Sequence, residues 1–458
     1  KRTYTLSSKN SIPCVSSLRT KKKNTAIKNI CCRCCAATFL LSKPFTRRQT
    51  VADIHVPFSR PAIGIEEERA VLEVIKSGWL TTGKYALRFE SDFSDMMNAI
   101  GSDVRSARKA LSLDVRNVQS FAVNSNTSGM ILAMDACGVT KGSAVITTPY
   151  TFVSTAACAR HLGADVFFAD IEKDSYNIDV QKIEAVLQSE KGKRVKAIVP
   201  VHIAGNVCRM EKICALAKAY DVRVIEDAAH SFPSPTKLGY AGTIGDAGVF
   251  SFYATKTITT GEGGMVCVRD EKLAKRIALM RMHGMDRAAW DRYTSPRASW
   301  EYDIADCGWK FNLPDILAAI GIEQLKKADA FRKERTAIVQ KYDGAFSKLD
   351  FIEVPPDGEG DAHHLYLMRI KAEALTISRD EFAKALQQLG IGISVHFIPL
   401  FHFTYWKKLY PEFRAEHFPN AQKRFASTIS IPLWPGMTSD MTDSVIEAVL
   451  SIGAAHHA

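Results

Sequence analysis

Residues 195–231 read VKAIVPVHIAGNVCRMEKICALAKAYDVRVIEDAAHS, and the alternation inside them decides the fold. Segment 195–202 reads as a continuously apolar strand, 211–220 as a helix, and 222–225 as a second, β-branched strand. Strands with uninterrupted apolar runs, joined through a helix, belong to a mainly parallel sheet covered on both faces, because the crossover must lie on the sheet. The same rhythm runs upstream. Strands at 120–124, 144–147 and 166–169 alternate with helices at 127–137, 155–162 and 179–188, the last opening on Asp179 as helix capping prefers. Ligands of such sheets sit at the carboxyl ends of strands, and Asp227 falls at one. Downstream the rhythm breaks: 247–252 and 265–268 read as strands with no helix between them. After Pro314 a helical stretch at 316–349, interrupted only by Gly321 and Gly344, leads to strands at 351–353, 363–370 and 391–396 around a helix at 379–389. The expected architecture is α/β: a large domain over residues 53–320 built on a mainly parallel sheet, then a linking helix and a small carboxyl-terminal α+β domain over 321–458.

Between the last two strands of the large domain, residues 250–264 read FSFYATKTITTGEGG. A single lysine, Lys256, sits there in a loop of Thr and Gly, downstream of the VIEDAAHS segment that carries Asp227. Taken singly, each residue has an ordinary reading. An Asp after a strand is a turn or a cap, and a Lys in a Gly/Thr loop is a solvated charge. Together they supply the two groups that pyridoxal phosphate chemistry needs. A lysine amine forms an imine with the cofactor aldehyde, and a carboxylate keeps the pyridine nitrogen protonated so that the ring accepts electrons. Lys256 must then also carry a proton between carbon atoms, which requires a neutral amine and hence a pKa depressed by burial and by a nearby cationic ring.

Composition excludes several alternatives. With 458 residues, 46% apolar and 24% charged, the chain has the make-up of a soluble globular protein of two or three domains. No apolar run approaches the roughly 20 residues of a membrane-spanning helix. The net charge of +11 lies in residues 1–49, which hold twelve Lys or Arg and no acid, so the remainder is near neutral and no nucleic-acid partner is expected. That leader, residues 1–52, has no starting Met and is rich in Ser, Thr, Lys and Arg. It reads as a disordered, non-native or organelle-targeting segment. Its CCRCC run at 31–35 lacks a second ligand pair at usable spacing, so no metal site is expected. The six later cysteines lie in apolar segments and read as reduced core residues of a cytoplasmic protein.

Further motifs extend the pair. Residues 78–83 read GWLTTG, 150–155 YTFVST and 199–205 VPVHIAG. His283-Gly284, 308–319 (GWKFNLPDILAA), 364–366 (HLY) and 395–400 (VHFIPL) follow in order. With these motifs, from about Pro57 to the end, the chain resembles the DegT/StrS group of pyridoxal-phosphate-dependent nucleotide-sugar aminotransferases, which share the fold-type-I architecture of aspartate aminotransferase and its seven-stranded type of sheet. The resemblance implies roles by position. Lys256 is the imine-forming lysine and Asp227 the partner of the ring nitrogen. Phe152 stacks on the cofactor ring, and His230 lies near the ring oxygen. Ser251, Asn126 and Thr127 bind the phosphate, the latter two at the start of a helix where backbone amides favour an anion. Asn312 reaches the cofactor phosphate of a neighbouring subunit, which implies a homodimer with shared sites. Thr81, Thr82 and His396 are candidates for the substrate side. The chain also departs from the family pattern: Asn126 stands where Gly is usual, Thr257 where Asn is common, Phe401 where a second His is expected, and 102–117 looks inserted.

The resemblance therefore implies an aminotransferase that takes nitrogen from an amino acid, with glutamate the expected donor, and aminates a keto carbon of a nucleotide-activated sugar. The product would serve amino-sugar or surface polysaccharide biosynthesis. The alternatives on the same fold are a sugar dehydratase, in which His replaces the imine-forming lysine, and a regulatory homologue without activity. The lysine at position 256 counts against both.

Overall fold

A central sheet of seven strands organises the molecule. In this computed structural model, residues 55–286 and 301–458 are described. The strands are β1 (Gln119–Val123), β2 (Ala144–Thr147), β3 (Asp165–Phe168), β4 (Val195–Ile198), β5 (Arg223–Asp227), β8 (Ala247–Ser251) and β9 (Gly264–Val268), in spatial order β1-β9-β8-β5-β4-β2-β3. A short hairpin, β6 (Pro235–Thr236) and β7 (Gly239–Tyr240), lies outside this sheet. Only β9 runs against the others, pairing antiparallel with both β1 and β8. The reversal follows from the missing helix: β8 and β9 are joined by a loop, and a loop return produces an antiparallel neighbour.

Side-chain alternation shows why both faces are covered. Val145, Val166, Ala197, Ile225, Val249 and Val266 pack into one core on one face. Their neighbours Ile146, Phe167, Ile198 and Val224 pack into a second core, and Phe250 and Met265 into a third, on the opposite face. Successive strand residues thus feed opposite layers, as a period of two requires. The helices begin where the sequence supplies caps. Ser125 accepts from the Ser128 N–H at the head of α4 (Asn126–Ala136), and Asp179 from the Gln181 N–H at the head of the helix Val180–Gln188.

Several boundaries differ from the sequence reading. The strand expected at 195–202 stops at Ile198, and Lys196 within it is exposed, so the run is not continuously apolar. Pro200 can donate no hydrogen bond, and beyond it Val201 makes only an isolated bridge to Asp227. The strand expected at 363–370 begins at Tyr366, since His363 takes a left-handed φ of 47°. No strand forms at 391–396. There Ile391 and Ser394 make isolated bridges to Val56 and Ser430. The third member of the small sheet is instead β12 (Thr428–Ile431), paired to β11 (Tyr366–Ile370), which pairs in turn with β10 (Ile352–Glu353). The inserted-looking stretch carries helix α3 (Ser102–Ala110), whose Arg108 is fully buried and donates to the carbonyls of Asp114, Leu238 and Thr243. The long helix is present as Asp315–Phe346. Among the described residues, no helix is long and apolar enough to cross a membrane. The basic leader and its cysteines fall outside the described residues.

Candidate active site

Asp227 is the last residue of β5, and Ser251 the last of β8, the parallel neighbour of β5. Both strands therefore deliver a polar side chain to the same edge of the sheet, and the chain leaving β8 carries Lys256 back over it. Hydrogen bonds within the lysine loop fix its course. Phe252 N–H donates to the Gly263 carbonyl, while the Phe252 carbonyl accepts from the Thr260 N–H and the Thr259 hydroxyl. Gln324, on the long helix, accepts the Thr259 N–H and donates to Glu67 and to the Ala62 carbonyl. The loop is thus tied to helix α1 (Ile65–Ser77) through one buried amide.

A cavity of about 500 Å³ opens at this edge. Of the residues expected from sequence, Lys256, Asp227, His230, Phe152, Ser251, Asn126, Thr127 and His396 line it. Thr81, Thr82 and Asn312 do not. Asn312 Nδ2 donates to Thr82 Oγ1 at 2.6 Å, Thr82 donates to the Leu313 carbonyl at 2.7 Å, and Asp315 accepts the Gly83 and Ala86 N–H groups at the head of helix α2 (Lys84–Asn98). These residues form a second polar cluster of their own.

The electrostatics of the cavity follow from burial. Lys256 is exposed only in part, toward the cavity it lines, and desolvation lowers its amine to about 8, with Asp227 pulling the other way. Desolvation raises Asp227 above the usual aspartate range, opposed by Thr155, the Ala229 N–H, Lys256 and Asn126. Thr155 donates to Asp227 Oδ2 at 2.7 Å, and the hydroxyls of Thr151 and Thr155 lie 2.9 Å apart. Since the Thr155 proton goes to the carboxylate, Thr151 must be the donor in that pair.

Three histidines border the amine. Burial holds His230 and His364 well below the ordinary imidazole value and lowers His396 to about 4, with Lys256 adding to each shift. His230 Nδ1 accepts the Ala204 N–H at 3.2 Å, which puts its proton on Nε2. His364 packs against it with ring centroids 4.4 Å apart. His396 is held by Ser430 at Nδ1, by the Tyr150 hydroxyl at its carbonyl, and by the stacked ring of Phe58.

The donor set fits pyridoxal phosphate. Phe152 is 60% exposed although it sits on the cavity wall, an unusual cost for a large aromatic ring unless a flat partner covers it. The first amides of α4, those of Asn126 and Thr127, have no carbonyl four residues back inside the helix and are free for an anion. Gly264 keeps this helix end close to the sheet: a side chain there would lie 2.8 Å from the Asn126 nitrogen. Sequence reasoning did not assign Thr155, Phe58, Tyr253, His364 or Phe397, all but the first of which line the cavity. Thr155, Tyr253, His364 and Phe397 lay inside quoted motifs, so their positions were flagged without their contacts; Phe58 lay outside them.

A sequence profile of the DegT/DnrJ/EryC1/StrS aminotransferase family matches residues 61–450. The chain is 42% identical over 404 residues to the protein MJ1066 of Methanocaldococcus jannaschii, covering 88% of this chain and 98% of that one. It is 40% identical over 400 residues to the spore coat polysaccharide biosynthesis protein SpsC of Bacillus subtilis, covering 87% and 97%. Among solved structures, the PMP form of the sugar aminotransferase Spr1654 of Streptococcus pneumoniae superposes with a TM-score of 0.76 at 27% identity, covering 87% of this chain and 99% of that one. Lys256 and Asp227 face one cavity at the carboxyl edge of this sheet, and the chain belongs to the DegT/DnrJ/EryC1/StrS aminotransferase family as a pyridoxal-phosphate-dependent aminotransferase.

Proposed function

We propose that the enzyme moves an amino group from an amino acid, glutamate, to a keto carbon of a nucleotide-activated sugar, with the chemistry carried by Lys256 and Asp227. The observation that carries this reading is the meeting of these two residues in one cavity with Phe152, His230, Ser251 and the free amides of α4. Pyridoxal phosphate, when bound, supplies an electron sink for the bond broken at the donor carbon.

The side chains supply the rest. Lys256, neutral through much of its population near pH 8, would take a proton from the donor carbon bearing the nitrogen and return it to the carbon on the other side of that nitrogen. Asp227 holds a proton at the ring nitrogen. Phe152 covers a ring face and excludes water. The amides of Asn126 and Thr127, with the Ser251 hydroxyl, bind the phosphate. His230 offers Nε2–H toward the ring oxygen, since Ala204 occupies Nδ1.

His396 serves the substrate side. Thr81, Thr82 and Asn312 stand apart from the cavity of their own chain. That placement supports a homodimer in which these residues complete the site of the second copy. A polysaccharide-linked relative and a sugar aminotransferase among the structural neighbours support a sugar acceptor.

The test is direct. Protein loaded with pyridoxal phosphate should lose its visible absorption band on addition of glutamate, while 2-oxoglutarate accumulates. A panel of keto-sugar nucleotides should then restore the band with the productive acceptor. A protein that takes up no cofactor, or releases no oxo acid with any amino donor, overturns the reading.

A further inference from the structure

We infer that Asn126 is a positioning residue for Asp227, clamping its carboxylate through the side-chain amide at the head of α4. The inference rests on the cofactor reading of Asp227 above.

Asn126 is the first residue of α4 and is buried. Its Nδ2 lies 3.3 Å from Asp227 Oδ1 and 3.0 Å from the Val249 carbonyl. A carbonyl only accepts, so the contact with Val249 fixes which end of the carboxamide is the NH2 group. Val249 is also the residue of β8 in register with Asp227 of β5, and its carbonyl accepts the Ala228 N–H as well. One side chain therefore bridges the pair of strands at the point where the carboxylate leaves the sheet.

The other donors to Asp227 show what this bridge adds. Thr155 holds Oδ2 at 2.7 Å. Oδ1 has two contacts of equal length, the Ala229 N–H and Asn126 Nδ2, each at 3.3 Å. With the Gly that the family pattern leads one to expect at position 126, Oδ1 would keep the Ala229 contact alone, one donor in place of two, and the carboxylate would be freer to turn about its Cβ–Cγ bond. The remaining polar atom of Asn126, Oδ1, has no hydrogen-bond partner among the described residues and is not sealed from solvent, so it is left toward the cavity that the residue lines. An amide oxygen repels phosphate. The side chain of Asn126 thus serves the ring-nitrogen end of the site, while its backbone N–H stays available to an anion.

The experiment is a pair of binding titrations on the apoenzyme. One ligand is pyridoxal phosphate; the other is its analogue with carbon in place of the ring nitrogen. Asn126→Ala should weaken pyridoxal phosphate roughly tenfold, the scale of one hydrogen bond to a charged group, and leave the analogue within about twofold. Asn126→Gly should do the same and guards against a variant that fails to fold. Equal losses with both ligands would mean that Asn126 acts on the phosphate or on the fold, and unchanged affinity for both would mean that it does nothing; either result overturns the inference. Wild-type protein that binds neither ligand fails at the earlier step and overturns the cofactor reading itself.

Discussion

Glu226 and Asp227 are consecutive residues of β5, 0% and 3% exposed, and they face opposite sides of the sheet. Their surroundings differ in kind. Glu226 accepts the N–H groups of Gly242, Ile244 and Gly245 within 2.8 Å and the His202 ring at 2.9 Å. His202 Nδ1 accepts the Cys208 N–H, so its proton lies on Nε2, pointing at the carboxylate. These partners hold Glu226 below the usual glutamate range in spite of full burial. Asp227 has fewer and longer contacts, and burial lifts it above its usual range. A carboxylate whose lone pairs are all engaged is a structural part. One left with free lone pairs at the wall of a cavity is ready for a ligand, and it costs the empty protein stability to keep it ionised.

The largest effect expected from this contrast is on turnover. Asp227→Ala should lower kcat/KM by at least about 10³-fold, ~4 kcal/mol of barrier, on the scale of removing one electrostatic partner of the reacting group. The melting temperature of the apoprotein should hold or rise. The sign follows from the raised pKa: above that pKa the ionised, poorly solvated carboxylate subtracts stability, and removing it returns that loss. A fall of several degrees in the apoprotein would show that Asp227 is structural too and would erase the contrast.

Glu226→Gln should do the reverse. The new amide NH2 would meet either the Gly242 N–H and the His202 Nε2–H, or the N–H groups of Ile244 and Gly245, in each case donors against a donor. A loss of about 3 kcal/mol in denaturant unfolding is expected, the cost of leaving buried polar groups unpaired. Activity per folded molecule should stay within a few-fold. Glu226 is depressed in the fold, so its contribution is present above the unfolded pKa and disappears as pH falls through the folded one. The variant should therefore lose less stability than wild type on acidification below pH about 5.

How far this contrast could be read from sequence depends on what each feature rests upon. The run RVIED placed Asp227 at a strand end because apolar periodicity is local, and 144–147 was legible for the same reason. Glu226 carries no local mark of its role: its N–H partners come from a loop sixteen to nineteen residues later, and His202 lies 24 residues earlier. Thr155 and Asn126 reach Asp227 across 72 and 101 residues, and only the folded sheet brings them there. The failed strand at 391–396 has the same origin. Its β-branched residues look like a strand, but Gly390 precedes it, Gly392 interrupts it, and the neighbouring position on β11 is taken by 428–431. Strand formation is decided by the available partner as much as by composition.

The smallest effect, and the sharpest on the two carboxylates, concerns Lys256. Burial lowers its amine to about 8, while the negative charge of Asp227 raises it; Glu226 makes no such contribution. In the apoprotein, the rate at which an amine-directed reagent modifies Lys256, followed by peptide mapping, should therefore rise through a midpoint of about 8, against the ordinary lysine value of 10.5. Asp227→Asn removes the neighbouring charge that favours the ammonium form, so the midpoint should move lower. Glu226→Gln should leave it in place, because that carboxylate faces the other side of the sheet and its charge is held by its own donors. A midpoint that moved equally in both variants would mean that the two charges act on the cavity through the same low-dielectric interior, and that neither the face of β5 nor the partners at each carboxylate separates structure from chemistry.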